Sequence, residues 1–219
     1  KVEIVRIREK SVSAKELKPT ETIPPASIAL LFFLSKEPYT NTKELENAPG
    51  FKSGEDVKKA VDWLVKAGYV ERKSHKVKKF GNYPIFSILT EKAYAQFDLK
   101  RRKGKGSFEH GLYQNLIQKN LKSLGIEATI EGKIKGSNKL IDVLAKDKER
   151  GWVAYEVTIH HENLTQNIHQ DFEAGASEIV IVTIDQPGAD KAVEIVSKDS
   201  TLDPYLEKIT FVQISDFSP

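Results

Sequence analysis

The chain has no cysteine and no methionine in 219 residues. Without cysteine, disulfides and thiolate zinc sites are excluded, which fits a reducing, cytoplasmic setting. Without any methionine, an initiator included, the sequence reads as a fragment of a longer protein. Long apolar runs are missing as well. The longest, Ile28–Leu34, falls short of the ~18 residues of a membrane span and of a signal-peptide core with its cleavage site, so no membrane association is expected. No G-x-x-x-x-G-K-[ST] loop occurs, and no G-x-G-x-x-G follows a strand, so the chain does not itself hydrolyse ATP. Paired metal-binding histidines at H-x-x-x-H or H-E-x-x-H spacing are also absent.

What is present is charge, unevenly spread. The net charge is only +3, yet residues 1–108 hold 23 Lys and Arg against 13 Asp and Glu, and residues 109–219 hold 11 against 18. Such asymmetry suggests two domains with different partners, the basic half being suited to nucleic acid.

The first 23 residues open with the alternating KVEIVRIREK, an edge-strand pattern, followed by the polar linker Ser11–Thr22. Pro24-Pro25 then introduces a helix with the apolar body Ala26–Leu34. Asn41 can cap a short helix, Thr42–Asn47. Ser53 begins a third, in which Val57, Val61, Leu64 and Val65 fall at helical spacing before Gly68. Strand-like runs Tyr69–Lys73 and Ile85–Leu89 flank the basic stretch SHKVKKFGNY, and Thr90 caps a last helix reaching Leu99. This order, with the phrases GYVERK and YPIFSILTEKAYAQF, resembles a winged helix-turn-helix domain over residues 24–99. The resemblance implies DNA binding, with Ser53–Ala67 as recognition helix and Ser74–Pro84 as wing. Lys58, Lys59 and Lys66 on the helix, and Arg72, Lys73, Lys76, Lys78 and Lys79 around the wing, are the candidate phosphate contacts. The helix has no Arg, Asn or Gln for bidentate base recognition. The bland alternative for such lysines is a solvated surface on a protein-docking adaptor. Residues 100–106, KRRKGKG, form a basic linker.

From Ser107 the pattern changes. A helix is predicted over Phe108–Leu124, with Leu112, Leu116, Ile117, Leu121 and Leu124 as its apolar stripe. Strands follow at Ile126–Ile130, Leu140–Ala145 and Trp152–Ile159, then a helix at Glu162–Ala174. The apolar strand Glu178–Ile184 suits a sheet covered on both faces. A helix at Ala189–Lys198 and a strand at Lys208–Ile214 close an α-β-β-β-α-β-α-β series, so the fold class is α/β in two domains. Two strands carry an acid in apolar surroundings, Asp142 and Glu156. Strand alternation places Asp142 with Leu144 and Lys146, and Glu156 with Ala154 and Thr158. Mid-strand carboxylates are disfavoured and costly to bury unpaired. Two on neighbouring strands suggest one shared task, the holding of a magnesium ion. His110, His160, His161 and His169 fit hydrogen-bonded surface or helix-start roles better than ligation.

Residues 107–184 resemble the PD-(D/E)XK, restriction-endonuclease-like superfamily, which includes archaeal Holliday-junction resolvases and Mrr-type enzymes. The resemblance implies a metal site of three carboxylates: Glu109 on the first helix, Asp142 on the second strand and Glu156 on the third. Where the family has Glu-x-Lys this chain has Glu156-Val157-Thr158. Losing that cation costs roughly 3–4 kcal/mol of barrier by analogy with one preorganised donor. Lys146 is a candidate replacement. The expected function is therefore a degenerate or weak nuclease in DNA processing, with Glu109, Asp142, Glu156 and Thr158 in the catalytic positions. The alternative is an active Mg-dependent endonuclease of the restriction or resolvase type. The order of the halves, with EHGLYQNLI, DVLA and GWVAYEV, is also similar to the tail of DNA-translocating ATPases of the conjugation and DNA-export type. That likeness implies a motor ATPase as a partner.

Overall fold

Helices in the first half start where a short polar side chain or a proline can set the backbone. The structure, a computed structural model, describes residues 23–48, 50–75, 84–100 and 106–217. Helix α1 (Pro25–Lys36) has Pro in its first turn and buries Leu30, Leu31 and Leu34. At α2 (Thr42–Leu45), Asn41 and Glu44 form a reciprocal capping box. Ser53 caps α3 (Gly54–Lys66), whose face Val57, Ala60, Val61 and Leu64 is buried against α1. An antiparallel hairpin, β1 (Val70–Ser74) with β2 (Ile85–Leu89), follows in the register Val70↔Leu89 to Ser74↔Ile85. Thr90 caps α4 (Glu91–Phe97) and also donates to the carbonyl of Gly68. The expected edge strand in KVEIVRIREK, wing residues Lys76, Lys78 and Lys79, and most of the basic linker lie outside the described residues.

The second half is an α/β layer structure. Helix α5 (Phe108–Ser123) precedes three antiparallel strands, β3 (Glu127–Gly132), β4 (Ile141–Asp147) and β5 (Gly151–Thr158). Helix α6 (Leu164–Glu173) then crosses to β6 (Glu178–Thr183), parallel to β5. Helix α7 (Gln186–Lys198) and a 3-10 segment, Ser200–Lys208, lead to β7 (Ile209–Gln213), parallel to β6. The sheet order is β3-β4-β5-β6-β7. One face packs Val143, Ala145, Val153, Tyr155, Val157, Val180 and Val182 against Leu112, Tyr113, Ile117 and Leu121 of α5. The other packs Leu144, Ala154, Ile179 and Ile181 against α6 and α7. Cover on both faces is why β6 is a continuous apolar run.

Two expectations shift. Leu124 is not in the α5 stripe but exposed, because the helix ends at Ser123. Helix α7 starts at Gln186 rather than Ala189, since Asp185 caps it through the Gly188 amide and Pro187 suits a first turn.

The halves touch. Phe86 of β2 is buried in the same cluster as α5 and the large sheet, with Tyr39 and Ile88 packed against it. A Cβ on Gly111 of α5 would run into the Tyr39 hydroxyl, so any larger residue there requires Tyr39 to shift.

Candidate functional site

The site lies where the β4–β5 ladder opens. Backbone pairing runs from Asp147↔Gly151 to Val143↔Tyr155. One residue on, Asp142 comes opposite Glu156 and side chains replace the ladder. The Asp142 amide donates to Glu156 Oε1 at 3.3 Å, and the Val157 amide donates to Asp142 Oδ2 at 2.9 Å. On the other edge of β4, Ile130↔Val143 and Gly132↔Ile141 flank the same position, and Glu131 takes a φ of 50°. A left-handed non-glycine costs on the order of 1–3 kcal/mol and is typical of sites whose surroundings over-determine them.

This opening corrects one expectation. Asp142 does not share a face with Leu144, which packs in the core under α6. Ile141 joins that core instead, so alternation breaks at Asp142. The Asp142 carboxylate turns to α5, where His110 Nε2 and Gln114 Nε2 stand 3.0 and 3.1 Å from Oδ1. Burial would lower the His110 pKa, but the hydrogen bond and charge of Asp142, with Glu131 beyond, hold it above the usual histidine value. Glu156 keeps its expected face and meets α6. Burial first, then the charges of Asp142 and Asp171, raise its pKa well above the usual carboxylate range.

Asp171 on α6 is the third acid of the cluster. It is fully buried, against the Glu156 carboxyl and the Lys139 amine. Burial pushes the Asp171 carboxyl up to about 6, against the opposing pull of Lys139. Lys139 reaches in from the β3–β4 loop, its Nζ 3.6 Å from Asp171 Oδ1 and donating to Asn167 Oδ1 at 3.2 Å.

A pH prediction follows. The Asp171 carboxyl binds its proton more tightly folded than unfolded, so its contribution is fully present below its ordinary value of 3.8 and is lost as pH rises through about 6. Glu156 acts in the same direction. Urea unfolding of wild type and Asp171→Asn across pH 4 to 7 is expected to show the wild type losing stability relative to the variant as pH rises. A difference independent of pH would refute the raised Asp171 value. Asp147, Glu194 and Asp199, whose values are lowered, act oppositely but are common to both proteins.

The other sequence candidates scatter. Glu109 faces His75, Nδ1 to Oε1 3.7 Å, rather than Asp142. Among the described residues no group of three or more His, Cys, Asp or Glu side chains is arranged to hold a metal ion. Asp142 and Glu156 are the two expected carboxylates that do meet. Thr158 is buried and in register with Thr183 on β6. Lys146 lies four residues down β4 from Asp142, over the Trp152 ring. His161 bonds the Gly188 carbonyl and His169 the Thr201 hydroxyl, while His160 is exposed. The spacing Leu164, Ile168, Asp171 puts an acid in an apolar helical stripe, a signal that would have found Asp171.

On the first half, Lys58, Lys59 and Lys66 of α3 are exposed. Lys59 pairs with Glu55, Arg72 with Asp62 and Lys73 with Glu71. Lys58 and Lys66 have no ion-pair partner among the described residues. Lys58 and Arg72 also line a cavity of about 580 Å³ with Glu46 and Glu55 on its walls. Among the described residues no helix is long and apolar enough to cross a membrane. Comparison with protein-family models, curated proteins and solved structures returns no match.

Proposed function

We propose that the chain binds DNA and that its second half carries a magnesium-dependent, phosphodiester-cleaving site on a PD-(D/E)XK-like core. The observation that carries this reading is the meeting of Asp142 and Glu156 at the open end of the β4–β5 ladder, with the Lys139 amine beside the same cluster. A divalent cation held by Asp142 and Glu156 would stabilise negative charge on the phosphoryl group and lower the pKa of an attacking water. His110 and Gln114 hold the Asp142 carboxylate in place. Lys139 supplies the positive charge that Thr158 does not. Nicking of supercoiled plasmid in magnesium or manganese tests the reading; folded protein in high excess that leaves the plasmid intact would remove it.

A second reading is a non-catalytic DNA-binding or docking module, such as one regulating a motor ATPase. It is favoured by Thr158 in the lysine position, and by carboxylates already satisfied by protein donors.

The DNA-binding part of the proposal assigns residues 24–99 to a winged helix-turn-helix, with α3 presenting Lys58 and Lys66. Duplex affinity is expected to fall with salt, by about 0.9 in log–log slope for each phosphate neutralised. Lys58→Ala with Lys66→Ala should make that slope shallower by about 2. An unchanged slope in a salt titration followed by fluorescence anisotropy would reject α3 as the contact surface.

A further inference from the structure

Asp171 is an unusual residue for a helix buried against a sheet. It is fully covered, and its nearest cation is Lys139 at 3.6 Å. Well-packed apolar groups often replace such a pair with no loss of stability, so holding the core together is a weak reason for its presence. Asn167 and Asp171 are four residues apart on α6, hence on one face, and both address the same Nζ. That amine ends a flexible four-carbon stem with many rotamers to lose on ordering. It rises from a loop whose neighbours Lys135, Gly136 and Asn138 are exposed, while its own side chain is only 17% exposed.

We infer that Asn167 and Asp171 are positioning residues that clamp Lys139 beside Glu156, so that α6 and the β3–β4 loop, not β5, place the cation of the site. The inference rests on the reading of Asp142 and Glu156 as the reacting centre and deepens it. Lys139 held there meets negative charge developing on a phosphoryl oxygen. Asn167 and Asp171 act only through Lys139. A cavity of about 460 Å³, lined by Lys135, Gly136, Ser137, Lys139, Gln170 and Glu173 among others, opens onto the clamp and gives small molecules access to the amine.

The test labels the full chain, without metal or DNA, with an N-hydroxysuccinimide acetate, and follows each lysine by mass spectrometry. Lys139 is expected to acetylate at least about threefold faster in Asp171→Asn and in Asn167→Ala than in wild type, about 0.65 kcal/mol of lost protection, with exposed Lys135 on the same loop unchanged. An unchanged Lys139 rate in both variants overturns the inference. Should Asp171→Asn not fold, judged by circular dichroism, Asn167→Ala decides alone, its side chain being only half-buried.

Cleavage kinetics separate positioning from mere support. Both variants should lose about tenfold in kcat with KM within about twofold, and Lys139→Ala/Asp171→Asn should be no slower than Lys139→Ala. Additive losses overturn the clamp. If wild type proves unable to cut, the phosphodiester reading falls, and the labelling pattern alone upholds or overturns the clamp.

Discussion

Asp142→Asn is expected to reduce magnesium-dependent plasmid nicking by at least about a hundredfold, the scale of losing one strong electrostatic contact at a reacting phosphoryl group, while duplex affinity stays unchanged. The carboxylate has two roles that the amide separates. One oxygen accepts the Val157 amide, and the other faces His110 and Gln114. Asparagine keeps an acceptor for Val157 and so preserves the fold around the open ladder. It removes the negative charge that holds the His110 pKa up and that a divalent cation needs. The variant should therefore remain folded and bind DNA, yet bind magnesium weakly. Nicking retained within a few-fold of wild type would sink the assignment of Asp142, and with it the two-carboxylate site.

Phe86→Ala should cost about 3–5 kcal/mol, the usual range for emptying a large buried aromatic position. Phe86 belongs to the hairpin of the first half yet is buried in the cluster built by α5 and the sheet of the second, with Phe108 at 6.1 Å between ring centres. Around it Tyr39 and Ile88 pack on the same cluster, Tyr39 with its ring centre 5.6 Å from that of Phe108, and polar contacts lie beside them. His75 Nε2 bonds the Tyr113 hydroxyl at 2.7 Å, and Lys119 pairs with Glu44 across the solvent-facing rim. That rim pair is worth about 0–1 kcal/mol, so the apolar cluster centred on Phe86 is the main tie between the halves. Wild type is expected to unfold in one calorimetric transition and Phe86→Ala in two, the lower belonging to the smaller four-helix core of the first half. A single transition shifted by less than about 1 kcal/mol would show that Phe86 does not tie the halves.

The order of elements could be read from the chain because its local signals agree. Asn41, Ser53, Thr90 and Ser107 each cap the helix they precede, and the alternating and continuous apolar runs of the second half became β3 to β6. The pairing of Asp142 with Glu156 on neighbouring strands was legible for the same reason. Their surroundings were not. Glu109 and His110 differ by one helical step, about 100°, and that step decides whether a side chain meets His75 or Asp142. No periodicity marks Lys139, which sits in a loop. The turn of Asp142 toward α5 depends on where the ladder opens and on the left-handed Glu131, both set by strand pairing. Spacing along a single strand shows only that position 158 is threonine; it does not show that the Lys139 amine lies beside Asp171.

Helix α5 presents Glu109 and Tyr113 to the hairpin and, a fraction of a turn away, His110 and Gln114 to the carboxylates. One rod thus works as a caliper whose jaws cannot be reset without breaking it. Were the hairpin to grip a duplex, every scission would fall at a constant nucleotide offset from the grip, and end-labelled fragments would gather in one narrow band. A linker joining two free bodies would smear the same products into a ladder.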